Sequence, residues 1–232
     1  MKLVNIVKSY GDKKVLDGIT LDIEEGKVTA ILGESGSGKS TLLNIIAGKI
    51  KDYKGKIVFE TETEKGISYI FQEDTLIPWK TVYGNLEFVL KKKIPIDKIE
   101  LRIKKYLKMV GLEGIENEYP NALSGGMKRR VGIARAFSFP SNYLFMDEPF
   151  EFLDIKIKNE IIEYFIKLQD IENKTVIFIT HDIESAVSLG EKIVVFSNKP
   201  TKIKKIFENP YPKEKNTEKK EKLKNEIKKL FL

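Results

Sequence analysis

Eight consecutive residues, Gly33-Glu34-Ser35-Gly36-Ser37-Gly38-Lys39-Ser40, restrict what this chain can fold into more than anything else in it. They fit a glycine, four free positions, then Gly-Lys-Ser. An apolar, strand-like run from Val28 to Leu32 precedes them. A helix-like run from Thr41 to Ala47 follows, with Gly48 placed to end it. The glycines let backbone N–H groups turn inward around a phosphate chain, and the following helix points its positive end at the same place. The element is a phosphate-binding P-loop. Lys39 is placed to reach the β- and γ-phosphates, and the Ser40 hydroxyl to hold Mg²⁺.

Around this element, strands alternate with helical stretches, the pattern of an α/β fold. Residues 2–8, 15–23 and 56–60 read as short strands, with turns at 10–12 and 24–26. They are expected to form a small antiparallel sheet beside the P-loop strand. Another apolar run spans 67–71. From 84 to 118 the reading is helical, with Leu86, Val89 and Leu90, then Ile99, Ile103, Leu107 and Val110 at helical spacing. The lysine-rich stretch 91–105, around Pro95, reads as a loop and a solvated helix face. Strands return at 142–146, 175–180 and 192–197.

Composition narrows the class. The chain has 232 residues, near the upper size of one domain. At 41% hydrophobic and 32% charged it is globular rather than disordered. Its apolar runs are too short to span a bilayer, and no signal-peptide core follows Met1. With no cysteine, disulfides and thiolate metal sites are excluded, which suits the cytosol. The formal charge is +7, and the last twenty residues hold eight lysines against four glutamates. Such a tail can touch nucleic acid or an anionic membrane, or be a solvated terminal helix.

A second cluster adds chemistry. Leu123-Ser124-Gly125-Gly126-Met127 precedes a helical run from Lys128 to Ala136. Ser124 stands where an N-cap belongs. With the N–H groups of Gly125 and Gly126 it makes another anion cradle at a helix start. Next comes Asn142-Tyr143-Leu144-Phe145-Met146-Asp147-Glu148, an apolar strand ending in two carboxylates. At the carboxyl edge of a parallel sheet that carries a P-loop, Asp147 is placed to hold Mg²⁺. Glu148 is placed to accept a proton from attacking water.

The order Gly33–Ser40, Gln72, Leu123–Met127, Tyr143–Glu148, Leu153-Asp154 and His181 resembles the ATPase subunits of ABC transporters, from Tyr10 to about Pro200. The resemblance implies an ABC ATPase core over 1–210, with an antiparallel β-subdomain and an inserted α-helical subdomain at about 75–140. Residues 211–232 are left as a basic, helical tail. It implies that ATP is held by Gly33, Glu34, Ser35, Gly36, Ser37, Gly38, Lys39, Ser40 and Thr41, with Tyr10 stacked on adenine. Catalysis would fall to Glu148, His181, Gln72 and Lys39, with His181 sensing the γ-phosphate. Mg²⁺ would be held by Ser40, Gln72 and Asp147. The implied assembly is a head-to-tail homodimer in which Ser124, Gly125, Gly126 and Asp154 serve the partner's ATP.

A narrower resemblance is carried by Phe71-Gln72-Glu73-Asp74, Leu76-Ile77-Pro78-Trp79-Lys80-Thr81-Val82, Met127 and Asp147-Glu148-Pro149-Phe150. It looks like the nitrate, sulfonate and taurine importer group, and importers of pyrimidine precursors share it. The chain departs at Glu151-Phe152, where the group usually has Gly-Ala. The function implied is an importer ATPase at the cytoplasmic face of the cell membrane. It would be attached through integral membrane permease subunits, indirectly linked to a solute-binding protein, and without nucleic acid. An exporter subunit, a non-transport ABC ATPase and a small-molecule P-loop kinase are the rivals. The kinase gives no reason for a second Ser-Gly-Gly cradle or for His181. Trp79 and Phe88 are either walls of a groove for the permease or core residues.

Overall fold

The structure is a computed structural model that describes residues 1–59, 66–73, 75–210, 212, 214 and 218–231. Residues 60–65, 74, 211, 213, 215–217 and 232 lie outside the described residues. With them fall the end of the expected 56–60 strand, Asp74 of the importer-like motif and part of the basic tail.

The main sheet has six strands. Five are parallel: β3 (Val28–Leu32), β5 (Ile67–Ile70), β6 (Tyr143–Asp147), β7 (Thr175–Thr180) and β8 (Lys192–Phe196). The sixth, β9 (Ile203–Glu208), pairs antiparallel with β8. The order is β5-β6-β7-β3-β8-β9. A second, antiparallel sheet of β1 (Lys2–Tyr10), β2 (Lys13–Asp22) and β4 (Lys54–Val58) has the order β2-β1-β4.

The central strands are buried along nearly their whole length, as expected of parallel strands covered on both faces. Their side chains alternate between two cores. Leu144, Met146, Val176, Phe178, Ile193 and Val195 point into one with the helices α2 (Val82–Leu90), α3 (Ile99–Met109), α4 (Gly125–Ser138) and α5 (Ile155–Glu172). Tyr143, Phe145, Ile177, Ile179, Val194 and Phe196 point into the other, with the antiparallel sheet and α1 (Lys39–Ile46). Burying a side chain of this kind contributes about 1.5–3 kcal/mol, so a one-residue slip in any central strand would exchange the two cores at large cost.

Helices start close to the expected positions. Thr81 caps α2 through its hydroxyl, which accepts from the Gly84 N–H at 3.1 Å, and α3 begins at Ile99 inside the lysine-rich stretch. The tail helix α7 (Glu218–Lys228) is docked on α6 (Ile183–Leu189). Ile227 is fully buried in the first core, and Lys224 pairs with Glu184 at 2.6 Å. The tail is therefore a packed element as well as a charged one.

Candidate functional site

The site forms where β3, β6 and β7 end, on the carboxyl edge of the parallel sheet. The chain leaves β3 at Gly33, whose N–H donates to Thr180 at 3.3 Å. A Cβ at Gly33 would lie 2.8 Å from Ser37 Oγ and 3.1 Å from Phe196 Cβ, so a larger residue would force Ser37 to move. Gly36 and Gly38 take φ of 79° and 92°, left-handed values that turn their N–H groups into the loop. Thr201, fully buried, donates its hydroxyl to the Ser37 carbonyl and so ties the loop to the turn between β8 and β9.

Lys39 lies in the middle of this loop. Its ammonium donates to the carbonyls of Gly33 at 2.8 Å and Glu34 at 3.0 Å, and is only 5% exposed. Burial lowers its pKa, and the nearby Glu148 carboxylate opposes that. The Ser40 hydroxyl donates to Asp147 Oδ1 at 3.3 Å. Burial raises the pKa of Asp147, and the Ser40 hydrogen bond works against it. An incoming cation would reverse that penalty. Among the described residues no three acidic or histidine side chains converge on one metal. The oxygens of Ser40 and Asp147 therefore suit Mg²⁺ that brings phosphate oxygens and water with it.

Glu148 follows Asp147 with φ 42°, uncommon for a glutamate, held by its N–H donating to Ile179 at 3.1 Å. One carboxylate oxygen is 3.6 Å from Lys39 Nζ. The other is 3.2 Å from His181 Nδ1 and accepts from the His181 N–H at 3.3 Å. The fold thus brings Lys39, Ser40, Asp147, Glu148 and His181 together from three separate strand ends.

The remaining expected residues are placed less centrally. Tyr10 is the last residue of β1, 52% exposed, with the Lys8 ammonium 4.6 Å from its ring centre. Strand β5 stops at Ile70, so Gln72 lies in the bend beyond, where its amide donates to Glu151 at 2.6 Å. Ser124 caps α4, accepting from the Met127 N–H at 3.3 Å. That bond uses an acceptor lone pair, and the hydroxyl proton stays available to an anion. Gly125 is exposed beside it. Asp154 caps α5 by accepting from Ile157 at 2.9 Å.

Several contributors carry no sequence signal of their own. Arg129 of α4 donates to the carbonyls of Phe71 at 2.7 Å and Gln72 at 2.6 Å. Arg135, on the same helix, donates to the Thr75 carbonyl and hydroxyl, each at 2.9 Å. Asn85, fully buried, accepts from Ile77 and donates to the carbonyls of Ile77, Lys80 and Thr81, which fixes the turn that holds out Trp79. Lys49 sits over the rings of Tyr69 and Phe71, 3.8 Å and 4.4 Å from their centres. Burial lowers its pKa, and nearby Asp147 opposes that.

Two open cavities adjoin the site. One, of about 600 Å³, is walled by the loop from Glu148 to Ile155 and by His181 to Ser185. The other, of about 540 Å³, lies between Gly33–Ser35, His181 and the Lys228 and Phe231 side chains of the docked tail.

A P-loop beside a strand-end carboxylate pair, on a mostly parallel sheet, defines a nucleoside-triphosphatase of the P-loop class. Residues 16–151 match the ABC transporter family. The chain is 42% identical to an aliphatic sulfonates import ATP-binding protein, SsuB, of Bacillus cereus, over 91% of this chain and 86% of that protein. Its fold matches the dimeric structure of MJ0796, a bacterial ABC transporter cassette, with a TM-score of 0.74 and 33% identity, over 89% of this chain and 97% of that one. A post-hydrolysis dimer of the same cassette, bound to ADP and Pi, matches equally well over the same shares of both chains, at 33% identity and TM-score 0.74. The chain belongs to the ABC transporter family.

Proposed function

We propose that this chain is the ATP-binding and ATP-hydrolysing subunit of an ABC importer, coupling hydrolysis to solute uptake through a membrane permease. The observation that carries the reading is the placement of Glu148 between Lys39 and His181 at the strand ends, beside the Ser40–Asp147 oxygen pair. Gly33 to Thr41 would hold the phosphates and Tyr10 the adenine. Ser40, Asp147 and Gln72 would hold Mg²⁺, which neutralises charge on the transferred phosphoryl group. Lys39 contributes a buried positive charge for the same phosphates. Glu148 accepts the proton of the attacking water, a role worth roughly 10²–10⁴-fold in rate. His181 orients that carboxylate and faces the position of the terminal phosphate.

Ser124 and Gly125 are exposed, as fits a cradle that serves the ATP of a second copy. Phe152, in the neighbouring loop, is 86% exposed and Ile155, at the start of α5, 79%, apolar surface that a homodimer would cover. Trp79 and Phe88, 77% and 62% exposed, favour the groove reading over the core reading. They would receive a cytoplasmic helix of the permease. Among the described residues no helix is long and apolar enough to cross a membrane. Held by the permease, the protein would sit at the cytoplasmic face, as a subunit of an importer requires. The relatives named for sulfonate import favour a small anionic solute of that kind, delivered by a solute-binding protein.

The test is a pull-down of the native complex followed by an ATPase assay. Recovery of an integral membrane subunit, with Mg²⁺-dependent ATP hydrolysis lost in Glu148→Gln, is expected. Recovery of nucleic acid without a membrane subunit would favour a non-transport ATPase.

A further inference from the structure

We propose that Glu151 is a positioning residue for Gln72, fixing which end of the Gln72 amide faces the cation site. The proposal rests on the metal role given to Gln72 above. A glutamine side chain has one end that only donates hydrogen bonds and one that only accepts. The Glu151 carboxylate only accepts when ionised. The 2.6 Å contact between Gln72 Nε2 and Glu151 Oε2 therefore commits the NH₂ end to Glu151 and leaves the carbonyl oxygen free. Oxygen is the end that a hard cation requires.

The backbone on both sides is held as well. Arg129 grips the carbonyls of Phe71 and Gln72, so the Gln72 side chain starts from a fixed point. The Glu151 N–H donates to the Glu148 carbonyl at 3.2 Å, so its carboxylate is registered to the turn that carries the catalytic base. Glu151 is also close enough to act electrostatically on Lys39. A residue without a side-chain acceptor at 151 would leave the Gln72 amide free to rotate and to offer its NH₂ end to the metal.

The test uses the full-length chain, in excess over a non-hydrolysable ATP analogue, titrated with Mn²⁺ and read by the loss of the free-ion paramagnetic resonance signal. Partners that orient a metal ligand typically contribute about 10–100-fold in affinity. Gln72→Ala and Glu151→Ala should each weaken Mn²⁺ binding about tenfold. The double variant should be no weaker than Gln72→Ala alone, because Glu151 acts only through Gln72. Glu151→Gln should retain most of the affinity, since its carbonyl accepts the same hydrogen bond. Analogue affinity in EDTA should be unchanged in both Glu151 variants, and an unchanged thermal melt of every variant reports an intact fold. Wild-type Mn²⁺ affinity in Glu151→Ala, or losses that multiply in the double variant, would overturn the proposal while the cation site itself stands. Wild-type affinity in Gln72→Ala would remove the metal role of Gln72 and the proposal together.

Discussion

Glu148 and His181 meet twice: the carboxylate oxygen that lies 3.2 Å from the imidazole Nδ1 also accepts the His181 backbone N–H at 3.3 Å. A strand-end glutamate with φ 42° is thereby locked against the end of the next strand. As the proposed base, Glu148 would be held in place before any substrate arrives, so little orientation would remain to be fixed at the moment of reaction.

The first prediction follows from that lock. Glu148→Gln keeps shape and hydrogen-bonding capacity but accepts no proton at neutral pH. It should bind ATP normally and lose at least about 10²-fold in turnover. In Mg·ATP it should elute as a stable dimer in size-exclusion chromatography. Turnover equal to wild type would move the base elsewhere.

Shared sites make a second prediction. Lys39→Ala should abolish turnover through its own P-loop, and Ser124→Arg through the partner's. A mixed dimer of the two holds one site with both lesions and one with neither. ATPase activity should therefore reappear only in the mixture. Proven heterodimers as inactive as either parent would reject independent shared sites.

Gly38 gives a third. Its φ of 92° strains any other residue, and a Cβ there would come within 2.9 Å of Val15 Cγ1, which must then move. Gly38→Ala should lower stability by about 1–3 kcal/mol and weaken nucleotide binding in the same protein. A thermal melt and a filter-binding assay read the two effects. Unchanged values in both would show that the loop relaxes freely.

Lys174 supplies a pH dependence. Its ammonium, 3% exposed, donates to the carbonyls of Phe139 at 2.9 Å and Ser141 at 2.6 Å. Burial lowers its pKa from 10.5 to about 8. Below pH 8 both folded and unfolded chains carry the proton, and the folded state bears the full penalty. Between about 8 and 10.5 the folded chain loses its proton first, so this group makes stability rise with pH. The size implied is roughly 3 kcal/mol. Urea unfolding at pH 8 and pH 10 should show that rise as a difference between wild type and Lys174→Met. Parallel pH profiles would contradict it.

Much of the site was legible because its chemistry is written contiguously. Gly33 to Ser40 and Met146 to Glu148 each occupy one turn or strand end, and the buried parallel strands read as unbroken apolar runs. Helix α5 carries an apolar stripe at Ile161, Ile162, Phe165 and Leu168 that the sequence reading passed over beyond Asp154, and β9 was missed because Ile-Lys-Lys-Ile-Phe-Glu shows no strand alternation on its exposed edge. Arg129, Asn85, Thr201 and Lys174 were illegible for a different reason. Each is an ordinary polar residue whose partners are backbone carbonyls, from distant parts of the chain for Arg129, Thr201 and Lys174 and from the turn just before it for Asn85.

The clasp of Arg129 on the 71–72 carbonyls links two places that the chain keeps far apart in sequence. Arg129 and Ser124 share one helix start, about 7.5 Å apart along its axis at 1.5 Å per residue. If Gln72 holds the cation and Ser124 faces a second copy's nucleotide, as proposed, a displacement of Gln72 would pull on the same helix start that presents the Ser124 hydroxyl. In a two-fold pair, a change at one pocket would then be felt at the other while each still fires on its own.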